Sequence, residues 1–202
     1  MRTLALWPLL LTAAACWQPR YFAPREHIDG VGPEGQPAAQ YSLAAASDAS
    51  APAEVRVWSR GAKARFTDDD REVVELHIGL ELENNGNDLL VLDPADLVCE
   101  EMMVDGVLQP SLRPVRIDGM GIAEPGATAR VEAVFEPPTT VPRDVDAFAV
   151  KFVVRIAERV VLQQTTPFVP WVRYVAPDRS NWSPLWGLGF GFGFHSHHVF
   201  CH

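Results

Sequence analysis

The densest set of reactive side chains lies at the C-terminus, where His195, His197, His198, Cys201 and His202 fall within the last eight residues. Imidazole and thiolate are ligands for Zn²⁺, Cu and Ni²⁺. In an extended chain His195 and His197 project to the same side and can share one ion. The spacing matches no zinc-finger pattern, so the run reads either as a transition-metal site or as a His-rich tract without fixed structure. Other candidates carry less. Asp68, Asp69 and Asp70 lack the spaced ligands of a Ca²⁺-binding EF-hand loop and read as a solvated turn. Glu100 and Glu101 are adjacent on an expected strand, so they point to opposite faces and cannot pair as acid and base. His77 falls on the polar face of its strand and reads as an exposed sheet residue, and His27 reads as solvated. The chain has no Gly-x-Ser-x-Gly elbow, no phosphate-binding loop and no His-Glu-x-x-His pair. Nothing assembles an acid, a base and a nucleophile, so the expectation is a protein that is not an enzyme.

The N-terminus carries an address. Arg2 is the only charged residue before Cys16, and residues 4–15 form an almost unbroken apolar run that closes on Ala13, Ala14 and Ala15. One positive charge, a short apolar stretch and small residues at its end make a secretory signal peptide over residues 1–15. The run is shorter than the roughly 20 residues a membrane-spanning helix needs. The sequence Leu11-Thr12-Ala13-Ala14-Ala15-Cys16 resembles the lipobox of bacterial lipoproteins. That resemblance implies cleavage before Cys16 and a lipid on its sulfur, which would hold the chain on a membrane at about 0.8 kcal/mol per buried CH₂. Trp17 follows the cysteine where an Asp would retain a Gram-negative lipoprotein at the inner membrane. The resemblance therefore implies an outer-membrane lipoprotein facing the periplasm. Ala13 stands where the family usually has Leu, and Ala13-x-Ala15 also suits ordinary signal peptidase. With a lipid on Cys16, Cys99 and Cys201 are left as an even pair in a compartment that permits disulfides. They are expected either as a Cys99–Cys201 bridge or as two separate thiols.

These groups hang on an all-β frame. Residues 16–54 read as a flexible tether, because Pro19, Pro24, Pro33, Pro37 and Pro52 interrupt helix and ladder alike and Gly30, Gly32 and Gly35 add freedom. As a coil such a segment spans on the order of 35 Å, enough to lift a domain off a membrane. Period-two alternation starts at Val55 and Val57. It is clearest at Val74, Leu76, Ile78, Leu80 and Leu82 and again at Phe148, Val150, Phe152, Val154 and Ile156. Asn84-Asn85-Gly86-Asn87 reads as a turn with Gly86 at positive φ, Asp105-Gly106 as a two-residue hairpin turn, and Glu158-Arg159 as a tight reversal. About eight short strands follow at the spacing of an antiparallel β-sandwich over residues 55–170, with a small barrel as the alternative, expected to close one core without the tether or the tail. Ile78 and Phe152 are expected inside. Glu81 is expected outside, where replacement by Lys would be nearly neutral. Residues 171–202 read as an irregular aromatic, Gly- and His-rich tail. The runs Leu80-Glu81-Leu82-Glu83-Asn84-Asn85-Gly86-Asn87 and Glu124-Pro125-Gly126-Ala127-Thr128-Ala129 resemble the strands and turns of Ig-like modules in bacterial envelope proteins, which implies an Ig-like sandwich and no particular activity.

Composition bounds the partners. The 202 residues carry 17 Lys and Arg against 26 Asp and Glu, a net charge of -9. So acidic a chain is a poor match for phosphate backbones, and no nucleic-acid partner is expected. The expectation is a non-enzymatic envelope lipoprotein, held at a membrane through Cys16, whose sandwich binds a protein or another envelope component. The alternative is a periplasmic metal-binding protein that uses the C-terminal His residues.

Overall fold

The computed structural model describes residues 18–43 and 53–172. Two antiparallel sheets pack face to face as a β-sandwich. The first runs in the order β1 (Tyr21–Pro24), β13 (Arg159–Trp171), β12 (Val145–Ile156), β6 (Leu90–Leu92) and β10 (Ile122–Ala123); β7 (Val98–Val104) also pairs with β12 and carries β8 (Val107–Leu108). The second runs β2 (Gly30–Val31), β3 (Pro37–Leu43), β4 (Ala53–Phe66), β5 (Glu72–Glu83), β11 (Thr128–Phe135) and β9 (Arg116–Asp118). Among the described residues helical structure is limited to the 3₁₀ turns Pro94–Asp96 and Pro142–Asp144, and no helix is long and apolar enough to cross a membrane.

Side-chain parity builds the core. Val74, Leu76, Ile78, Leu80 and Leu82 of β5 are all buried, as are Val131, Ala133 and Phe135 of β11 and Phe148, Val150, Phe152 and Val154 of β12. Phe148 stacks on Phe168 and meets Phe22 edge-on, each with ring centroids 5.0 Å apart. Tyr41 tilts against Phe152, and its hydroxyl meets Thr166 Oγ1 at 2.9 Å in the interior. Burial raises the Tyr41 phenol above its usual value, against the hydrogen bond to Thr166 that lowers it. Each buried aromatic or large aliphatic side chain contributes about 1.5–3 kcal/mol.

The tether expected over residues 16–54 is corrected for residues 18–43, which are built into both sheets. Tyr21 to Pro24 pair with Trp171 to Phe168, and Ala38 to Leu43 pair with Trp58 to Ala53. Phe22, Ala39, Tyr41 and Leu43 belong to the core itself. The prolines do not prevent this, because they sit where no ladder bond is lost: β1 is a sheet edge, and Pro37 is the first residue of its strand. The sandwich is therefore larger than residues 55–170 and takes its N-terminal strands into both sheets. Where the chain enters, Arg20 exchanges backbone hydrogen bonds with Ala62, N to O at 3.0 and 2.8 Å. Gly61 makes room for this at φ 94°, since a Cβ there would stand 2.6 Å from the Arg20 carbonyl oxygen.

Turns agree in place more than in mechanism. Asp105 and Gly106 both take positive φ, as a two-residue hairpin requires. Gly86 is not among the positive-φ residues. The turn after β5 is held instead by the buried Asn84, whose Nδ2 donates to the carbonyls of Asp88 and Ala123 at 2.7 and 2.9 Å and whose Oδ1 accepts from Gly86 N at 3.0 Å. The last reversal turns on Ala157 and Glu158, both left-handed, one residue before the expected pair. On β7 the alternation breaks: Glu101 takes φ 50°, Cys99 and Met102 are both buried, and Glu100 and Glu101 both lie outside the core rather than on opposite faces. Asp68, Asp69 and Asp70 form an exposed turn, as expected, in which Asp69 pairs with Arg71 at 2.7 Å.

Candidate functional site

The outer face of the second sheet is a ladder of polar and charged side chains laid across β3, β4, β5 and β11. The register aligns Glu54 with Glu83, Gln40 with Arg56, Glu81 and Arg130, and Ala38 with Trp58, Gly79 and Glu132. Like charges directly opposite repel, and here Arg56 bridges them. It reaches Glu83 at 2.7 Å, Glu81 at 2.9 Å and Glu54 at 3.4 Å. Arg130 holds the other oxygen of Glu81 through Nε at 3.1 Å. Glu81 is thus buried between two guanidiniums rather than exposed, which corrects the reading of that position as an indifferent outer residue.

His77 is corrected as well. It does face outward from the core, but its ring is mostly covered, with Nδ1 2.9 Å from Glu132 Oε1 and Nε2 3.3 Å from Glu75 Oε2. Arg60 joins Glu132 at 2.8 Å and Glu34 at 2.5 Å. Burial works to raise the Glu132 carboxyl, but the His77 hydrogen bond and the Arg60 guanidinium outweigh it and hold the carboxyl below its usual value. Burial likewise disfavours charge on Arg60, and Glu34 and Glu132 reverse that, so its net shift is upward.

Trp58 sits in the middle of this face. It shares the parity of Arg56 and Arg60, yet only 2% of it is exposed. It lies flat over Gly79, where a Cβ would come within 2.2 Å of its Cε2. The strap joining β2 to β3, residues 32–36, folds over it, closed by Gly32 N donating to Gln36 O at 2.8 Å. Arg130 stands 5.9 Å above the ring. Between strap and sheet is a cavity of about 180 Å³, lined among others by Glu34, Gln36, Trp58, Arg60, Arg130 and Glu132. The alternation at Val55 and Val57 leaves Trp58 on the polar face of the strand, and the sequence analysis drew nothing from it. The available signal was a tryptophan on a polar strand face.

The other expected site residues fall as follows. Cys16, His195, His197, His198, Cys201 and His202 lie outside the described residues. Cys99 is fully buried with no disulfide partner among the described residues, and as a thiol its pKa is pushed up to about 12 by burial and by the charge of Glu100. Its proposed partner Cys201 is not described, so the Cys99–Cys201 bridge stays an expectation. His27 is exposed, with its ring 5.0 Å from Tyr41. Among the described residues no group of His, Cys, Asp and Glu is arranged to hold a metal ion. Comparison with protein-family models, curated proteins and solved structures found no match.

Proposed function

We propose that this chain is a non-enzymatic lipoprotein of the bacterial cell envelope, an Ig-like β-sandwich held at the outer membrane by a lipid on Cys16 and binding an envelope component on the outer face of its second sheet. The observation that carries the binding reading is the cavity beside Trp58, lined by side chains of β4, β11 and the strap of residues 32–36 over Gly79 of β5, and set within a charged face. The anchoring reading is supported by the leader and by covalent reach. Arg20, the first residue bridged into the fold, follows Cys16 by only four residues. Four residues extend at most about 14 Å. A lipid on Cys16 then holds the domain directly against the bilayer. The corner it presents is lined by Gln18, Arg20, Tyr21, Arg143 and Trp171, and aromatic and cationic side chains suit the headgroup region.

Detergent phase partitioning of the chain made with its own leader tests this. The wild type is expected in the detergent-rich phase and the Cys16→Ser variant in the aqueous phase. Both forms in the aqueous phase would remove the anchor.

A further inference from the structure

β13 has one edge that β1 covers only in part. The strand spans Arg159–Trp171, and β1 pairs with it from Phe168 to Trp171 alone. One more bond follows, Arg25 N donating to Pro167 O at 2.9 Å, after which the chain crosses to β2 in the other sheet. From Arg159 to Thr166 the strand has β12 on one side and no described strand on the other. Alternate residues of an antiparallel strand turn their N–H and C=O to the same edge. With the Pro167 carbonyl facing β1, the N–H and C=O of Gln163 and Thr165 face the open edge, and none of them has a partner among the described residues. The side chains here do not guard it. Val160 is 49% exposed, Val161 and Leu162 are half-buried at the margin of the core, and no charged residue lies between Arg159 and Pro167. An uncharged edge with free backbone groups is a template for another strand.

A strand that fits must be uncharged, must alternate and must reach. Gly187-Leu188-Gly189-Phe190-Gly191-Phe192-Gly193-Phe194 carries no charge, and in extended form Leu188, Phe190, Phe192 and Phe194 share one face. It matches the open stretch of residues 159–166 in length. It lies outside the described residues, in the part of the chain that continues directly from the end of β13. The stretch to be passed is β1, 4 residues long, or about 13 Å. Residues 173–186, extended, reach about 46 Å. A chain that leaves at Trp171 and turns back runs antiparallel to β13, the sense that a simple turn allows. We propose that residues 187–194 are the edge strand of the first sheet, paired antiparallel with Arg159–Thr166 and laying their apolar face beside Leu162 at the core margin. The pairing is within one chain, because a linker of this length holds the segment near the edge at an effective concentration on the order of mM. It is independent of the lipid on Cys16.

The test is amide hydrogen exchange, followed by NMR on the ¹⁵N-labelled Cys16→Ser chain and on the same chain carrying Phe190→Asp and Phe192→Asp. The amides of Gln163 and Thr165 are expected to exchange at least about tenfold more slowly in the first chain than in the second. The Ile78 amide, inside the second sheet, stays protected in both and shows that the sandwich is intact. The pair Phe190→Leu and Phe192→Leu is expected to keep the protection, and sedimentation to find a monomer throughout. Fast exchange at Gln163 and Thr165 in the first chain would overturn the proposal. So would equal protection with and without the aspartates, which would mean that another segment covers the edge. Protection found only in a dimer would assign the edge to a second copy and overturn it too.

Discussion

Glu81 is one carboxylate serving two cations, with Arg56 on one oxygen and Arg130 on the other. Exposed ion pairs contribute about 0–1 kcal/mol, and buried pairs that lose one partner cost about 3–5. Glu81 lies between those limits, with its side chain 11% exposed. Glu81→Lys, which would set three cations side by side, is expected to cost about 2 kcal/mol in urea unfolding. Glu83→Lys, at the half-exposed end of the same network, is expected to cost clearly less. Equal small losses would show that the network is slack. Glu132 carries the pH dependence of this face. Its folded carboxyl titrates below the unfolded value of 4.5, so its contribution is complete above that value and is lost as pH falls through the lower folded one. Glu132→Gln should flatten this part of the acid limb of stability against pH, and an unchanged limb would assign the dependence to other carboxylates.

Strand alternation was the legible element. Ile78 and Phe152 are both fully buried, as their parity required, because a half-buried antiparallel strand writes its two faces into alternate residues. Two kinds of feature were not legible. The strands β1 to β3 are short, carry Pro24 and Pro37, and show no long alternation, so local sequence looks like a coil and only tertiary pairing makes strands of them. The contacts of Glu81 and His77 depend on neighbours 49 to 55 residues away, at Arg130 and Glu132, and polar parity alone cannot separate a solvated side chain from a networked one. Removing the N-terminal strands takes Phe22, Tyr41 and Leu43 out of the core. At about 1.5–3 kcal/mol each, that loss rivals the roughly 5–15 kcal/mol stability of a whole domain. A chain of residues 53–172 is therefore expected to be unfolded by circular dichroism and amide exchange, and a chain of residues 18–172 to be folded. A folded 53–172 chain would reinstate the tether.

At the scale of the molecule, the two ends of the described chain leave the sandwich together, since Tyr21 pairs with Trp171 in the β1–β13 ladder. The proposed anchor at Cys16 and the tail that follows residue 172 thus attach at one corner, while the charged face with the Trp58 cavity belongs to the other sheet. With only three residues between Cys16 and Arg20, the proposed anchor seats the domain on the bilayer and does not swing it out. Everything in that picture depends on Cys16. The most direct measurement is the intact mass of the chain, extracted from membranes of a bacterium that makes it with its own leader, together with the mass of its N-terminal peptide. The account predicts a chain that begins at Cys16 and carries the added mass of a diacylglyceryl group. A chain with an unmodified cysteine, or one that begins at any other residue, would contradict it.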